Sequence, residues 1–309
     1  MSSQYLVVDL GGTFTKYALM TEDAQVIQKG KVVSATASED ETLASLARVR
    51  EEVDGASYEG VAFSMPGRID TARGIAHTGG AFSWIHAYPA ASRYGAVFGR
   101  PATIANDGKC AAYAESWKGA LSDVESGAVL VLGTAVGGGI VLNRHVWMGS
   151  SGGAGELSGM VVDYDAAREG GIGSVNPTTM WASHVSATAI TRQFARRKGL
   201  EKADGIMLFD AYEAGDDDAV AVLGEFAANM ATGIYSLQTV LDLPRYAIGG
   251  GISARPETTQ LISDAVHAIL DPKGDRIAFT NPEIVTCTFG SEANLVGALA
   301  FHLDSVGRR

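Results

Sequence analysis

Cysteine is scarce in this chain. Cys110 and Cys287 are its two cysteines among 309 residues, far apart and without a C-x-x-C pair. That usage suits a reducing cytoplasm and carries no zinc signature. Runs of basic residues are missing too, and the formal net charge is −11. This balance argues against binding nucleic acid or an anionic membrane through a positive face. A small anionic ligand then has to be held by backbone N–H groups or a metal ion. No long hydrophobic run is present: the longest, residues 127–142 (GAVLVLGTAVGGGIVL), is short for a membrane span and broken by glycine. It reads as strand, turn, strand. The opening MSSQYLVVDL lacks a basic segment followed by an apolar core, so no secretory signal is expected. Neither GxxxxGK[ST] nor a GxGxxG after the first strand occurs, which excludes a P-loop enzyme and disfavours a dinucleotide dehydrogenase.

What is present is a well-packed globular composition, 46% hydrophobic and 19% charged, in a length that suits about two domains. Residues 5–9 and 14–20 read as paired strands, with 24–28 leading into a third. Residues 39–53 have helical spacing, 58–64 and 103–105 read as strands, and 107–118 as a helix. The theme then restarts: 129–132, the turn GTAVGGG, and 140–142 repeat the opening hairpin. A helical region over about 182–241, interrupted near 215–218, leads to a strand at 246–248 and a closing helix at 293–303. Two similar halves imply an α/β class with two lobes and a cleft between them. Residues 1–118 with about 290–309 form the expected small lobe, 119–289 the large one, and 119–127 the hinge.

Three glycine clusters interrupt this pattern. In VVDLGGTFTK, Gly11 and Gly12 let the backbone approach a ligand, and Thr13 adds a hydroxyl donor. Asp9 cannot bind phosphate itself but can hold Mg²⁺, directly or through water. A plain hairpin capped by an aspartate would use the same residues. Gly133-Thr134 with Gly137–Gly139, and Gly249–Gly251 after an apolar strand, repeat the device and favour a phosphate cradle. Asp107, preceded by Asn106, stands at a strand-to-helix junction where a helix cap is the ordinary role.

Asp9-Leu10-Gly11-Gly12-Thr13 with Lys16 resembles the first phosphate motif of the actin/hexokinase/Hsp70 ATPase superfamily. More narrowly, the chain resembles the ROK family of sugar kinases and repressors. Further matches are Met65-Pro66-Gly67, Ile104-Ala105-Asn106-Asp107, Gly133-Thr134-Ala135-Val136-Gly137-Gly138-Gly139, GGAGE ending at Glu156, and Ile248-Gly249-Gly250-Gly251. The resemblance implies a two-lobed actin-like (ribonuclease H-like) α/β fold with duplicated mixed sheets, ATP and Mg²⁺ as cofactors, and a cytoplasmic homodimer acting on a small sugar. It makes Asp107 the general base toward a sugar hydroxyl, with Asn106, Glu156 and Gly67 as substrate contacts. Asp9 becomes the metal anchor. Gly11, Gly12, Thr13, Lys16, Gly133, Thr134, Gly138, Gly250 and Gly251 become ATP contacts.

The chain also departs from that family. No histidine follows Glu156, and the segment DYDAAREGGIGSVNPTT lacks the zinc-binding cysteines, so no zinc is expected. Gly80 replaces a sugar-contact asparagine, and Ala182 aligns with the glutamate that usually holds the anomeric end. Loss of that acceptor points to a substrate whose C1 oxygen is already substituted, a β-glucoside such as cellobiose phosphorylated at the 6-hydroxyl. The alternative is a ROK hexokinase acting on free glucose or N-acetylmannosamine. A sugar-sensing repressor is disfavoured by the acidic charge and by the early position of Asp9.

Overall fold

The computed structural model describes residues 2–173, 175–271 and 278–309. They form two compact units, Met1–Gly119 with Val146–Ala154 and Ser291–Arg309, and Ala120–His145 with Gly155–Gly290.

In the first unit, β1 (Gln4–Leu10), β2 (Phe14–Thr21), β3 (Val26–Val33), β4 (Gly60–Met65) and β7 (Ala102–Asn106) make a sheet of order β3-β2-β1-β4-β7. β1 to β3 pair antiparallel, whereas β1, β4 and β7 run parallel. β4 is buried along its whole length, as expected of a central strand covered on both faces. A small hairpin, β5 (Ile69–Asp70) with β6 (Ile75–Ala76), follows β4. Helix α1 (Glu39–Glu52) is capped by Ser38, whose hydroxyl accepts the Glu41 N–H, and buries Thr42, Ser45, Leu46 and Val49 at helical spacing. Helices α2 (Ala90–Phe98), α3 (Asp107–Lys118) and α10 (Ala293–Ser305) complete the unit. α10 packs on α3 so closely that a Cβ on Gly297 would lie 1.7 Å from the Cys110 carbonyl oxygen.

The second unit repeats the plan. β8 (Gly127–Leu132), β9 (Val136–Leu142), β10 (His145–Val146), β11 (Arg245–Gly249) and β12 (Glu283–Thr286) take the order β10-β9-β8-β11-β12. The turn between β8 and β9 is Gly133-Thr134-Ala135, and Gly137–Gly139 lie inside β9 opposite Val131 to Val129, not in the turn. Gly138 has φ +150, and a Cβ there would sit 2.0 Å from the Val129 carbonyl oxygen. The remaining helices are α4 (Tyr164–Gly170), α5 (Ala182–Val185), α6 (Ala187–Lys198), α7 (Gly205–Glu213), α8 (Asp217–Leu241) and α9 (Pro256–Leu270).

The region 182–241 is thus four helices, broken at more places than the single expected interruption. Ser186 caps α6, Gly199 ends it with φ 64, and Asp204 and Asp216 cap α7 and α8. α8 is long and apolar enough to cross a membrane by composition, but half of its apolar window is buried in the core of this unit. The core centres on Trp181, whose indole N–H donates to the Asn229 carbonyl at 2.9 Å and lies against Gly233.

Candidate active site

The carboxyl ends of the parallel strands β1, β4 and β7 gather the first unit's polar groups, the usual place for a ligand site in such sheets. Pairing of β1 with β4 sets Asp9 opposite Ser64. The Ser64 hydroxyl donates to Asp9 Oδ1 at 2.9 Å, and the Asn294 amide donates to the same oxygen at 3.1 Å. Burial pushes the Asp9 carboxyl above the usual range, against the pull of these two bonds and of Lys16. The charge of Asp107 raises it further.

Asp107 is the first residue of α3, and the cap itself is Asn106, whose Oδ1 accepts the Lys109 N–H at 3.1 Å. Capping therefore does not consume Asp107. Its Oδ1 accepts the Gly108 N–H at 2.8 Å and the Asn106 amide at 2.9 Å. Burial pushes this carboxyl up as well, opposed by those bonds and by the charge of buried Lys109. Asn106 also donates to the Gly67 carbonyl at 3.0 Å, so both amide hydrogens are engaged and Oδ1 keeps one acceptor position. Gly67 needs its glycine, with φ +106 and space that a Cβ would fill 2.1 Å from the Thr78 carbonyl oxygen.

In the first glycine turn, Ser34 fastens the carbonyls: its hydroxyl donates to Gly11 O at 2.6 Å and its N–H to Thr13 O at 3.0 Å. Among the described residues, neither the Gly12 nor the Thr13 N–H donates to a protein acceptor. Such paired amides form a concave anion seat. Lys16 lies on β2, and its ammonium donates to the Ser291 carbonyl at 3.3 Å.

The second unit holds a pocket of about 680 Å³ where Gly133, Thr134 and Gly251 meet the first turns of α6 and α7. Ile206, Phe209 and Ile252 give it apolar walls, while Thr188, Asp204 and Arg255 supply polar edges. Its volume is within the range of small-molecule sites. Gly250, with φ +97, allows β11 to turn past the Leu132 carbonyl oxygen, 2.1 Å from where a Cβ would stand. Around Gly251 a Cβ would meet nothing within 4 Å, which leaves open space in front of its backbone. Apolar walls beside glycine amides fit a nucleotide, with a base between the walls and phosphates on the backbone.

Glu156 is exposed, in a loop that Ser158 ties to β9 by accepting the Val136 N–H at 2.9 Å and donating to its carbonyl at 2.8 Å. Ala182 opens α5 and packs partly against the core. At Gly80, φ is +57 and a Cβ would lie 2.9 Å from the Pro66 Cβ. Among the described residues, no three His, Cys, Asp or Glu side chains are grouped to hold a metal.

Ser64, Asn294, Thr188, Asp204 and Arg255 escaped the sequence reading. Asp204-Gly205 before an apolar helix was a legible cap signal. Asn294 lies 285 residues from Asp9 and had none.

Known proteins agree with this architecture. The ROK family model matches residues 5–305. The β-glucoside kinase of Klebsiella pneumoniae is 27% identical over 304 residues, covering 97% of this chain and 96% of that enzyme. The β-glucoside kinase of Listeria monocytogenes is 28% identical over 302 residues, covering 97% of each. A solved ROK family protein from Streptococcus pneumoniae, in complex with sucrose, aligns with a TM-score of 0.86 at 24% identity over 99% of this chain and 100% of that one. The duplicated mixed sheets are those of the actin-like ATPase fold. A match running almost end to end decides the assignment: the chain belongs to the ROK family.

Proposed function

We propose that this protein is an ATP-dependent sugar kinase that phosphorylates the 6-hydroxyl of a β-glucoside, with Asp107 as general base and Asp9 as the magnesium anchor. The observation that carries this reading is the pair of carboxylates at the ends of β1 and β7, buried Asp9 and half-buried Asp107. Each is pushed up by burial, yet each is held by hydrogen bonds that favour its ionised form. MgATP supplies the activated γ-phosphoryl group and the charge that screens it in the transition state.

The protein's own residues orient, accept a proton and exclude competing acceptors. Asp107 takes the proton of the acceptor hydroxyl as the new O–P bond forms and ADP leaves with its bridging oxygen. Asn106 aims that carboxylate and offers Oδ1 to a neighbouring sugar hydroxyl. Gly67 supplies the carbonyl that holds Asn106, and Glu156 accepts ring hydroxyls. Gly11, Gly12, Thr13 and Lys16 receive phosphate oxygens. Gly133, Thr134, Gly250 and Gly251 receive the nucleotide in the second unit's pocket, where Gly138 keeps β9 close to β8.

The β-glucoside choice rests on Ala182, an apolar residue where a carboxylate acceptor for a free anomeric hydroxyl is expected, and on the named activity of the two kinases above. Two cysteines in 309 residues, Cys110 and Cys287, suit a reducing cytoplasm, and the family resemblance supports a homodimer. An ADP-release assay over glucose, N-acetylmannosamine, cellobiose and methyl β-glucoside tests the substrate. Cellobiose should be the better acceptor; glucose turned over far better than any β-glucoside would end the assignment.

A further inference from the structure

Two donors crowd one oxygen of Asp9. Ser64 and Asn294 both bond Oδ1, which fills the two in-plane lone pairs of that oxygen. Among the described residues no donor reaches Oδ2. A carboxylate whose burial was merely being satisfied would spread its donors over both oxygens. This arrangement instead fixes the plane of the carboxylate and leaves one oxygen for something else.

Asn294 is itself held in place. It is the second residue of α10, and the residues just before it are tied to the sheet by Lys16, which donates to Ser291 O at 3.3 Å, and by an ion pair between Lys29 and Glu292. The helix behind it is seated through Gly297 against Cys110. Ser64 is fixed by its register opposite Asp9 in the parallel pair.

We infer that Asn294 and Ser64 are positioning residues that jointly occupy Asp9 Oδ1 and so present Oδ2 as the single oxygen facing the magnesium of the bound nucleotide. The inference rests on Asp9 being the metal anchor, as proposed above. The C-terminal helix, the last element of the chain, thereby completes a metal site whose carboxylate lies on the first strand. Outer groups that orient a metal ligand typically matter by about tenfold or more in metal affinity.

The test is Mn²⁺ binding to the protein–ADP complex, followed by electron paramagnetic resonance, for wild type, Asp9→Asn, Asn294→Leu and Ser64→Ala. Asn294→Leu and Ser64→Ala should each weaken Mn²⁺ about tenfold. The Mg²⁺ concentration for half-maximal turnover should rise in proportion, while the KM for the sugar stays within about twofold. Ser64→Ala removes one hydroxyl and keeps the test valid should the leucine variant fold poorly. Wild-type Mn²⁺ binding in Asp9→Asn would defeat the metal-anchor reading itself. Weakened binding in Asp9→Asn with wild-type binding in the other two variants would overturn this inference alone.

Discussion

Gly297→Ala is the substitution whose cost follows most directly from the packing. The new methyl would stand 1.7 Å from the Cys110 carbonyl oxygen, 2.3 Å from its carbon and 2.8 Å from its Cα. A relaxed C···O contact is about 3.3 Å or more, so α3 and α10 would have to part by roughly 1.5 Å. All three obstructing atoms are backbone within a helix, so no rotamer change relieves them. Parting the helices also strips van der Waals contact from their interface, since a gap of about 1 Å already forfeits up to half of an atom pair's attraction. Overpacking of this kind costs about 1–3 kcal/mol, and the backbone obstruction places it near 3. For a domain of this size that is a fall in Tm of about 6–12 °C. Turnover should fall too, because α3 carries Asp107 and α10 carries Asn294. Differential scanning fluorimetry would read it, with Gly224→Ala as control. On the exposed face of α8 a Cβ at Gly224 meets nothing within 4 Å, so alanine there should raise stability by about 0.5–1 kcal/mol. A Gly297→Ala Tm within about 2 °C of wild type would refute the reasoning.

Further outcomes follow from the same structure. Burial raises the folded-state pKa of Asp107 above its unfolded value, so the folded state binds the proton more tightly. The resulting loss of stability is absent below the unfolded pKa, accrues as pH rises from the unfolded pKa through the folded one, and is complete above it. Asp107→Asn should therefore raise the ligand-free Tm at pH 7, with the gain shrinking as the pH is lowered toward 4; a gain independent of pH would contradict the assignment. The acid limb of kcat/KM should lie above the ordinary carboxylate range for the same reason, and a limb at or below about pH 4 would speak against Asp107 as the base. Ala182→Glu should shift the ratio of kcat/KM toward glucose over cellobiose by about tenfold, the worth of one charge-assisted hydrogen bond. An unchanged ratio would remove Ala182 from the specificity argument.

Much of this architecture could be read directly from residue patterns. The strands β1, β4 and β8 are dense apolar runs followed by glycine or, after β4, by Pro66-Gly67, so their type was plain. α3 was placed at its observed bounds because Asn-Asp marks its start and Gly119 its end. The glycine triplet Gly137–Gly139 misled, since glycine usually signals a turn. Here Gly138 permits the close approach of β9 to β8, a tertiary demand invisible in local sequence. The breaks at Ser186 and Gly199 were obscured by a long run of helix-forming residues whose caps are single residues, one hydroxyl and one left-handed glycine. At the site, the residues flagged by motif lie at strand ends and turns. Their supports, Ser64 and Asn294, depend on strand register and helix docking, which no short-range pattern records.

Single-turnover phosphoryl transfer by Asp107→Asn, with the sugar affinity measured in parallel by calorimetry, bears most directly on the central claim. The amide keeps the shape of the side chain and can still accept from Gly108, but it cannot take the acceptor's proton. A positioned general base contributes about 10²–10⁴-fold, equivalent to roughly 3–5 kcal/mol in the barrier. A fall in that range is expected, with the sugar Kd changed by less than about threefold. A transfer rate within about threefold of wild type would contradict it.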